Sequence, residues 1–349
     1  GRDARLNLKR RDITLMVLLT ALYAAVAFPN LGSMSAPQTQ WKATASGEQI
    51  TFDLGQVEDF TMTYYGSICS STFLVQLSED GQVWSEAHYA QYDQGKIFQW
   101  LWYQPSEKED DGSFYAVEQG YVQRARYVRI IAERAGLTLC EVGFLDQNGQ
   151  VLPIASVYSV GGSAGYDYDP KALIDEQETV PPYPSYLNGM YFDEIYHGRT
   201  AYEFLNQWES VYEYTHPPLG KVLIMVGIQL FGMTPFGWRF MGALFGVLML
   251  PILYVFLKNL FGRTAIAFCG TTLFAFDFMH LVQTRIATID TYAVFFILAS
   301  FLFMFIFVRQ DPDETRLWRR LVPLGLSGVL WGVGCASKWT VIYAGAGLA

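Results

Sequence analysis

The sequence predicts a multi-span α-helical membrane protein with an all-β sandwich inserted outside the lipid, and three observations predict it. Charge is partitioned along the chain. Residues 1–12 carry five Lys/Arg against two Asp/Glu, residues 13–220 nine against twenty-six, and residues 221–349 ten against five. Uncharged runs of membrane-spanning length sit near the N-terminus and after position 239. Between them, from Trp41 onward, short alternating runs separated by turn signals take over. The net charge of −9 argues against a nucleic-acid binder, which needs a basic face to neutralise phosphates. An apolar content of 51% argues against disorder.

A bilayer core of about 30 Å takes about 20 apolar residues. Residues 13–31, 240–257, 291–308 and 321–337 are uncharged, and 264–284 is interrupted only by Asp277. Each run is expected to span, some with help from its flanks. The first has a rival reading, because a basic start followed by Ala25-Val26-Ala27 also fits a cleaved secretory leader; the spans that follow favour a retained helix. Residues 339–349 begin a further apolar stretch and position 1 is not Met, so the chain reads as part of a longer one.

Positive charge orients these spans. If residues 222–238 crossed the bilayer, Arg316, Arg319 and Arg320 would face outward. If that segment lies along the interface, Lys258, Arg263, Arg309 and the 316–320 cluster join Lys9, Arg10 and Arg11 on the cytoplasmic side. The second arrangement is expected, with Gly232, Pro235 and Gly237 also weakening a spanning helix there. The chain then divides into a basic N-terminus and first transmembrane helix (1–33), a β-sandwich (34–155), a Gly/Pro-rich linker (156–184), an extracytoplasmic catalytic loop with a juxtamembrane helix (185–238), and a helical bundle (239–349). An integral protein, N-terminus in the cytoplasm, is the expected location, the cell membrane the expected membrane.

The insert is read from Ile50-Thr51-Phe52-Asp53-Leu54, Phe73-Leu74-Val75-Gln76-Leu77 and Tyr127-Val128-Arg129-Ile130-Ile131, with turns at Asp80-Gly81 and Asn148-Gly149. Short strands at this spacing predict an antiparallel β-sandwich. The phrases Ser78-Glu79-Asp80-Gly81-Gln82-Val83-Trp84, Ala125-Arg126-Tyr127-Val128-Arg129-Ile130 and Glu141-Val142-Gly143-Phe144-Leu145-Asp146 resemble discoidin-type modules of the galactose-binding-like, jelly-roll kind. That resemblance implies a sugar or lipid head group held by loops at one end; a spacer that binds nothing is the other reading. Trp100, Trp102 and Tyr103 are either a sugar-stacking platform for such a carbohydrate ligand or apolar core. Cys69 and Cys140 lie where a disulfide is chemically permitted, while Cys269 and Cys335 fall in spans as packing residues.

The chemistry concentrates between Tyr191 and Lys221. Phe192-Asp193-Glu194 opens an expected helix, and Asp193 and His197 share a face at a spacing of four. Acidic residues in a first helical turn are also what the helix dipole favours with no further purpose. The loop His216-Pro217-Pro218-Leu219-Gly220-Lys221 follows, its double proline fixing the entry to the next helix. Arg239, Arg285 and Lys338 map to the same ends of the spans. Singly, each would be read as snorkelling to the head groups; three beside a carboxylate pair suit a phosphate-bearing lipid.

The ordered motifs Phe192-Asp193-Glu194, His216-Pro217-Pro218-Leu219-Gly220-Lys221, Trp238-Arg239-Phe240-Met241-Gly242-Ala243-Leu244, Arg285-Ile286-Ala287-Thr288-Ile289-Asp290 and Ser337-Lys338-Trp339-Thr340 resemble the protein O-mannosyltransferase family. Outside the insert the likeness covers nearly the whole chain; the β-sandwich and the lack of later spans depart from it. The resemblance implies the N-terminal half of a C-type glycosyltransferase, in which a sugar, mannose, moves with inversion from a polyprenyl-phosphate donor to Ser/Thr hydroxyls of an acceptor protein. Carried onto this chain, Asp193 is the expected base and Glu194 orients the acceptor. Arg239, Arg285 and Lys338, in that order, meet the lipid phosphate. His216, Pro217, Pro218, Lys221 and His197 shape the loop or the acceptor side. No cofactor is required. A divalent metal on Asp193, Glu194 and His197 is the alternative. Two rival functions stand: transfer from a lipid-phosphate sugar to a lipid or cell-wall glycan, and a membrane-anchored carbohydrate-binding module without catalysis.

Overall fold

A computed structural model describes residues 8–348 other than 69, 92–95, 118–119, 163–167 and 312–315. The chain forms two compact units, one of residues 1–34 and 191–349 and the other of residues 35–190.

The first unit is helical: α1 (Arg10–Ala27), α2 (Glu194–Leu205), α3 (Leu219–Phe231), α4 (Pro235–Phe261), α5 (Thr264–Ala275), α6 (Phe278–Thr284), α7 (Asp290–Arg309), α8 (Leu317–Ser337) and α9 (Val341–Leu348). Three of them, α4, α7 and α8, are long and apolar enough to cross a membrane. The pair α5 and α6 passes the same test only taken together, as a broken span or a re-entrant loop bent by 58°. The break falls at Asp277, the one charge in the 264–284 run, whose side chain caps α6 by accepting from the Met279 N–H at 3.1 Å. A carboxylate that satisfies a new helix start cannot also sit quietly inside a continuous apolar helix.

Helix α4 is the hub, packing against α1, α3, α5 and α7. Thr234 caps its start by accepting from Gly237 N–H at 3.1 Å, Pro235 occupies the first turn, and Gly262 ends it at φ +70°. The sequence-read division at 238/239 therefore falls inside α4, because the Thr-Pro start signal outweighs the two glycines near it. Gly246 lets α6 close in: a Cβ there would lie 2.6 Å from Cβ of Thr284. At the other end of α4, Lys258 pairs with buried Asp12 of α1 at 3.5 Å, and Arg309 of α7 donates to the Asn259 carbonyl at 2.5 Å. One end of the bundle thus gathers Asp12, Lys258 and Arg309, and the other gathers the acidic motif, Arg239, Arg285 and Lys338.

The second unit contains β1 (Trp41–Lys42), β2 (Gln49–Gly66), β3 (Phe73–Ser78), β4 (His88–Ala90), β5 (Gln99–Trp102), β6 (Pro105–Lys108), β7 (Phe114–Ala116), β8 (Val122–Ala132), β9 (Thr138–Leu145) and β10 (Ser156–Val160), paired antiparallel throughout. The long β2 organises them. Its first half pairs with β8 and β10, its register shifts between Asp53 and Glu58 near Gly55 at φ +83°, and its second half pairs with β9 and β5. Phe144 meets the edges of Phe52 and Phe60 in the core. Of the three aromatic residues weighed as a platform, Trp100 and Tyr103 are buried and only Trp102 is half-exposed, so two of them are core.

The segment read as a linker carries structure. Ser156–Val160 is β10, and short 3-10 turns at Pro170–Leu173 and Gln177–Thr179 pack over β9. Every residue of β9 is buried as a result. The Gly/Pro/Asp composition marked turns, and here those turns cover a sheet face. Cys140 lies on β9; Cys69 is outside the described residues, and with it the pairing considered above.

Candidate active site at one end of the helical bundle

Asp193 and Glu194 are adjacent, yet their environments diverge. Phe192, at φ +52°, turns the chain into α2, and Asp193 occupies the N-cap position. Glu194, the first helical residue, points inward and is fully buried. It accepts from Arg239 Nε at 2.7 Å and Nη2 at 2.6 Å, from the Ala287 N–H at 2.9 Å and from the Tyr191 N–H at 2.8 Å. The Arg239 guanidinium also donates to the Leu31 carbonyl at 3.0 Å. This is a two-pronged ion pair whose remaining lone pairs and protons are satisfied, the condition under which a buried charge pair is tolerated. Glu194 therefore faces no acceptor and Arg239 no open phosphate site; together they clamp α2, α4 and the turn before α7.

Arg285 is likewise engaged. It donates to the carbonyls of Val26 at 3.0 Å, Pro29 at 3.1 Å and Asn30 at 2.6 Å. Those oxygens end α1, where the helix dipole favours a cation.

Lys338 has a different setting. It lies in the extended step between α8 and α9, and its ammonium meets Asp290, the first residue of α7, at 2.5 Å. The lysine side chain is 18% exposed and the aspartate 49%. Asp290 and Asp193 line the same open cavity of about 470 Å3, together with Gln283, Thr288 and Thr291. No hydrogen bond to the Asp193 carboxylate is recorded among the described residues. Burial and the Asp290 charge push its proton affinity up, against Lys338 and His216, which lower it.

The proline loop is tied down by Lys221 together with Glu213, Glu203 and Thr200, which the sequence did not single out. Lys221 is almost completely buried and donates to Glu213 Oε2 at 2.5 Å, to the Glu213 carbonyl at 2.8 Å and to the His216 carbonyl at 2.9 Å. Glu213 also receives the Thr215 hydroxyl, the Thr215 N–H and the His216 N–H. Burial opposes its ionisation, but the Lys221 and Thr215 hydrogen bonds prevail and hold its carboxyl down at about 2. From α2, Glu203 takes the Tyr212 N–H at 2.7 Å and Thr200 takes the Glu213 N–H at 3.1 Å. The spacing of Arg199 and Glu203, which pair at 2.8 Å, was the available sequence signal. Lys221 is thus a strut of the loop rather than a ligand.

His197 is buried with its ring 6.2 Å from that of His216. Burial lowers its pKa to about 4, so it is neutral near pH 7. With Glu194 committed to Arg239, Asp193, Glu194 and His197 are not gathered as a metal set. Among the described residues, the cluster whose ligand atoms come within 4.8 Å of one another is Glu141, Asp175 and Glu176, in the β unit.

The structure thus puts Asp193 and Asp290 on one cavity, with Lys338 paired to Asp290 and His216 close enough to act on Asp193, and draws Glu194, Arg239 and Arg285 into the scaffold. A carboxylate open to a cavity, with a cation at its edge and a conformationally fixed loop beside it, suits proton abstraction next to a bound anion.

Residues 229–348 match the family profile described as dolichyl-phosphate-mannose-protein mannosyltransferase. That stretch runs from the end of α3 to α9. The chain is 30% identical over 176 residues to the polyprenol-phosphate-mannose–protein mannosyltransferase of Mycobacterium tuberculosis, covering 44% of this chain and 33% of that protein. It is 29% identical over 175 residues to the enzyme of the same name from Mycolicibacterium smegmatis, at 44% and 33% coverage. With the one from Corynebacterium glutamicum it shares 35% over 120 residues, 31% of this chain and 23% of that one. The chain spans about a third of the length of the mycobacterial relatives.

Proposed function

We propose that this chain forms the catalytic rim of a membrane glycosyltransferase that moves mannose from a polyprenyl-phosphate carrier to Ser/Thr hydroxyls of exported proteins, with inversion. The observation that carries the reading is the split between neighbouring carboxylates: Glu194 locked by Arg239, Asp193 open to the cavity. A Ser or Thr hydroxyl is a poor nucleophile near neutral pH, so a carboxylate within hydrogen-bond reach takes its proton as the C–O bond forms. Asp193 fills that role. The leaving group is a lipid phosphate, anionic on departure, so it needs positive charge and no second acid. Lys338 supplies it at the cavity edge. Arg239 and Arg285 act through the scaffold, one holding Glu194 and the other the end of α1.

The charges of the bundle support one sidedness. Asp12, Lys258 and Arg309 share the end opposite Asp193, and the positive-inside rule puts that end in the cytoplasm. Donor and acceptor then meet on the outer face. In the β unit, a polar cavity of about 320 Å3 beside Trp102, Gln104 and Tyr121 would take a saccharide; titration with neutral oligosaccharides that leaves Trp102 fluorescence unchanged would remove that part.

The decisive experiment is Asp193→Asn assayed with polyprenyl-phosphate mannose and a Ser/Thr-rich peptide by mass spectrometry. Transfer should fall about 10²- to 10⁴-fold while donor binding persists. Near-normal transfer takes the base role from Asp193. Mannose appearing on lipid or wall glycan and never on peptide would instead favour the related lipid- or glycan-directed transferases.

A further inference from the structure

We propose that Asp290 is the resting counter-ion of Lys338, and that the phosphate of the lipid donor displaces it, leaving its carboxylate free beside Asp193 at the moment the donor is bound. The inference rests on the transferase reading, in which Lys338 meets the phosphate.

The geometry assigns the two partners unequal positions. Lys338 is held from behind: its N–H donates to the Gly334 carbonyl at 3.0 Å, and the next residue, Trp339, donates its indole N–H to the Thr215 carbonyl at 2.9 Å. Asp290 lies on the cavity side and is half-exposed. The pair depends on a close approach of three elements. A Cβ on Gly220 of α3 would lie 2.6 Å from Ile289, which precedes Asp290, and 3.4 Å from the carbonyl of Ser337, which precedes Lys338. The glycine of the proline loop thus lets the starts of α3 and α7 meet the end of α8, and sets the ion pair at the rim.

Within that pair only one partner is replaceable by substrate. An ammonium is a point charge with three rotatable donors, and it exchanges one oxyanion for another without rebuilding its surroundings. A phosphate entering the cavity competes with Asp290 for it, and donor affinity is reduced by the strength of the resting pair. Once Lys338 is neutralised by phosphate, Asp290 faces Asp193 uncompensated, and a like charge nearby makes a carboxylate a stronger base. Asp290, Lys338 and His216 are the charged or titratable groups that act on Asp193, and Asp277 and His280 line the same cavity. Donor binding would then sharpen the base only when there is a sugar to transfer.

The test is binding of polyprenyl monophosphate, lacking the sugar, to the detergent-solubilised protein and its variants. Asp290→Asn should bind about two- to fivefold tighter, the range set by a partly exposed ion pair. Lys338→Gln should bind more weakly, and adding Asp290→Asn to it should restore nothing. In transfer assays Asp290→Asn should lower both the donor KM and kcat and move the acid limb of kcat to lower pH. A merely structural Asp290 would weaken binding or leave it unchanged, and either result overturns the proposal. Tightened binding without any mannose transfer would sustain the counter-ion and overturn the transferase reading; mannose transfer without tightening would do the reverse.

Discussion

At the scale of single residues, the fate of each charge is decided by its second partner. Glu194 and Arg239 satisfy one another almost completely, so removing either leaves an unpaired charge in the interior. Arg239→Ala should destabilise the helical unit by about 3–5 kcal/mol, read as a large drop in melting temperature in detergent. Recovery on adding Glu194→Leu would confirm that the loss comes from the stranded carboxylate. Glu213 gives a pH signature. Its folded pKa, about 2, lies below the ordinary 4.5, so its contribution is full above about 4.5 and is lost as pH falls toward 2. Glu213→Gln should lower stability at pH 7 and flatten that acid limb in thermal melts between pH 5 and 2. Phe-Asp-Glu at a helix start was enough to single out Asp193 and Glu194. Which of the two faced the cavity was not legible, since adjacent helical positions differ only in the neighbours that folding brings.

Elements behave as their punctuation directs. Asp277 divides one apolar run into α5 and α6, and Thr234-Pro235 and Gly262 bound α4. The interruption at Asp277 was readable because caps and breakers act locally, whereas the Thr234-Pro235 start was passed over for a boundary at 239. Close packing was less readable. Gly246 and Thr284 are far apart in sequence, and the need for a bare Cα at their crossing exists only once α6 folds back on α4. Gly246→Leu should therefore cost about 1–3 kcal/mol through overpacking, seen as a lower melting temperature, whereas Gly325→Ala in α8, where a Cβ meets nothing within 4 Å, should leave it unchanged or slightly raised. Strand β10 teaches the converse lesson. Ser156-Val157-Tyr158-Ser159-Val160 alternates as a strand does, but the glycines and prolines after it dominated the reading. Its pairing with β2 joins residues more than a hundred positions apart.

For the whole molecule, the two units answer pH differently. In the β unit, Glu141 is fully buried on β9 and takes hydrogen bonds from Gln177 and the Glu176 N–H. Burial outweighs those bonds and pushes its carboxyl up to about 8. The folded state then holds a proton that the unfolded chain releases, so stability falls as pH rises from about 4.5 to about 8. Glu141→Gln should raise the melting temperature of this unit at pH 8 and leave it little changed at pH 4, as followed by β-sheet circular dichroism. The amino-acid order alone set an apolar, span-forming stretch apart from a water-facing one, marked the runs from which the spans are built, and singled out the motifs proposed to carry chemistry. Each of these is a matter of local composition, of hydrogen-bonding groups needing caps, and of charge avoiding hydrocarbon. Tertiary structure alone decided that Arg239 and Arg285 serve the scaffold while Lys338 reaches the cavity edge. Coulomb attraction in a low-dielectric interior is spent on whichever opposite charge folding places within about 3 Å, and no spacing along the chain announces that partner.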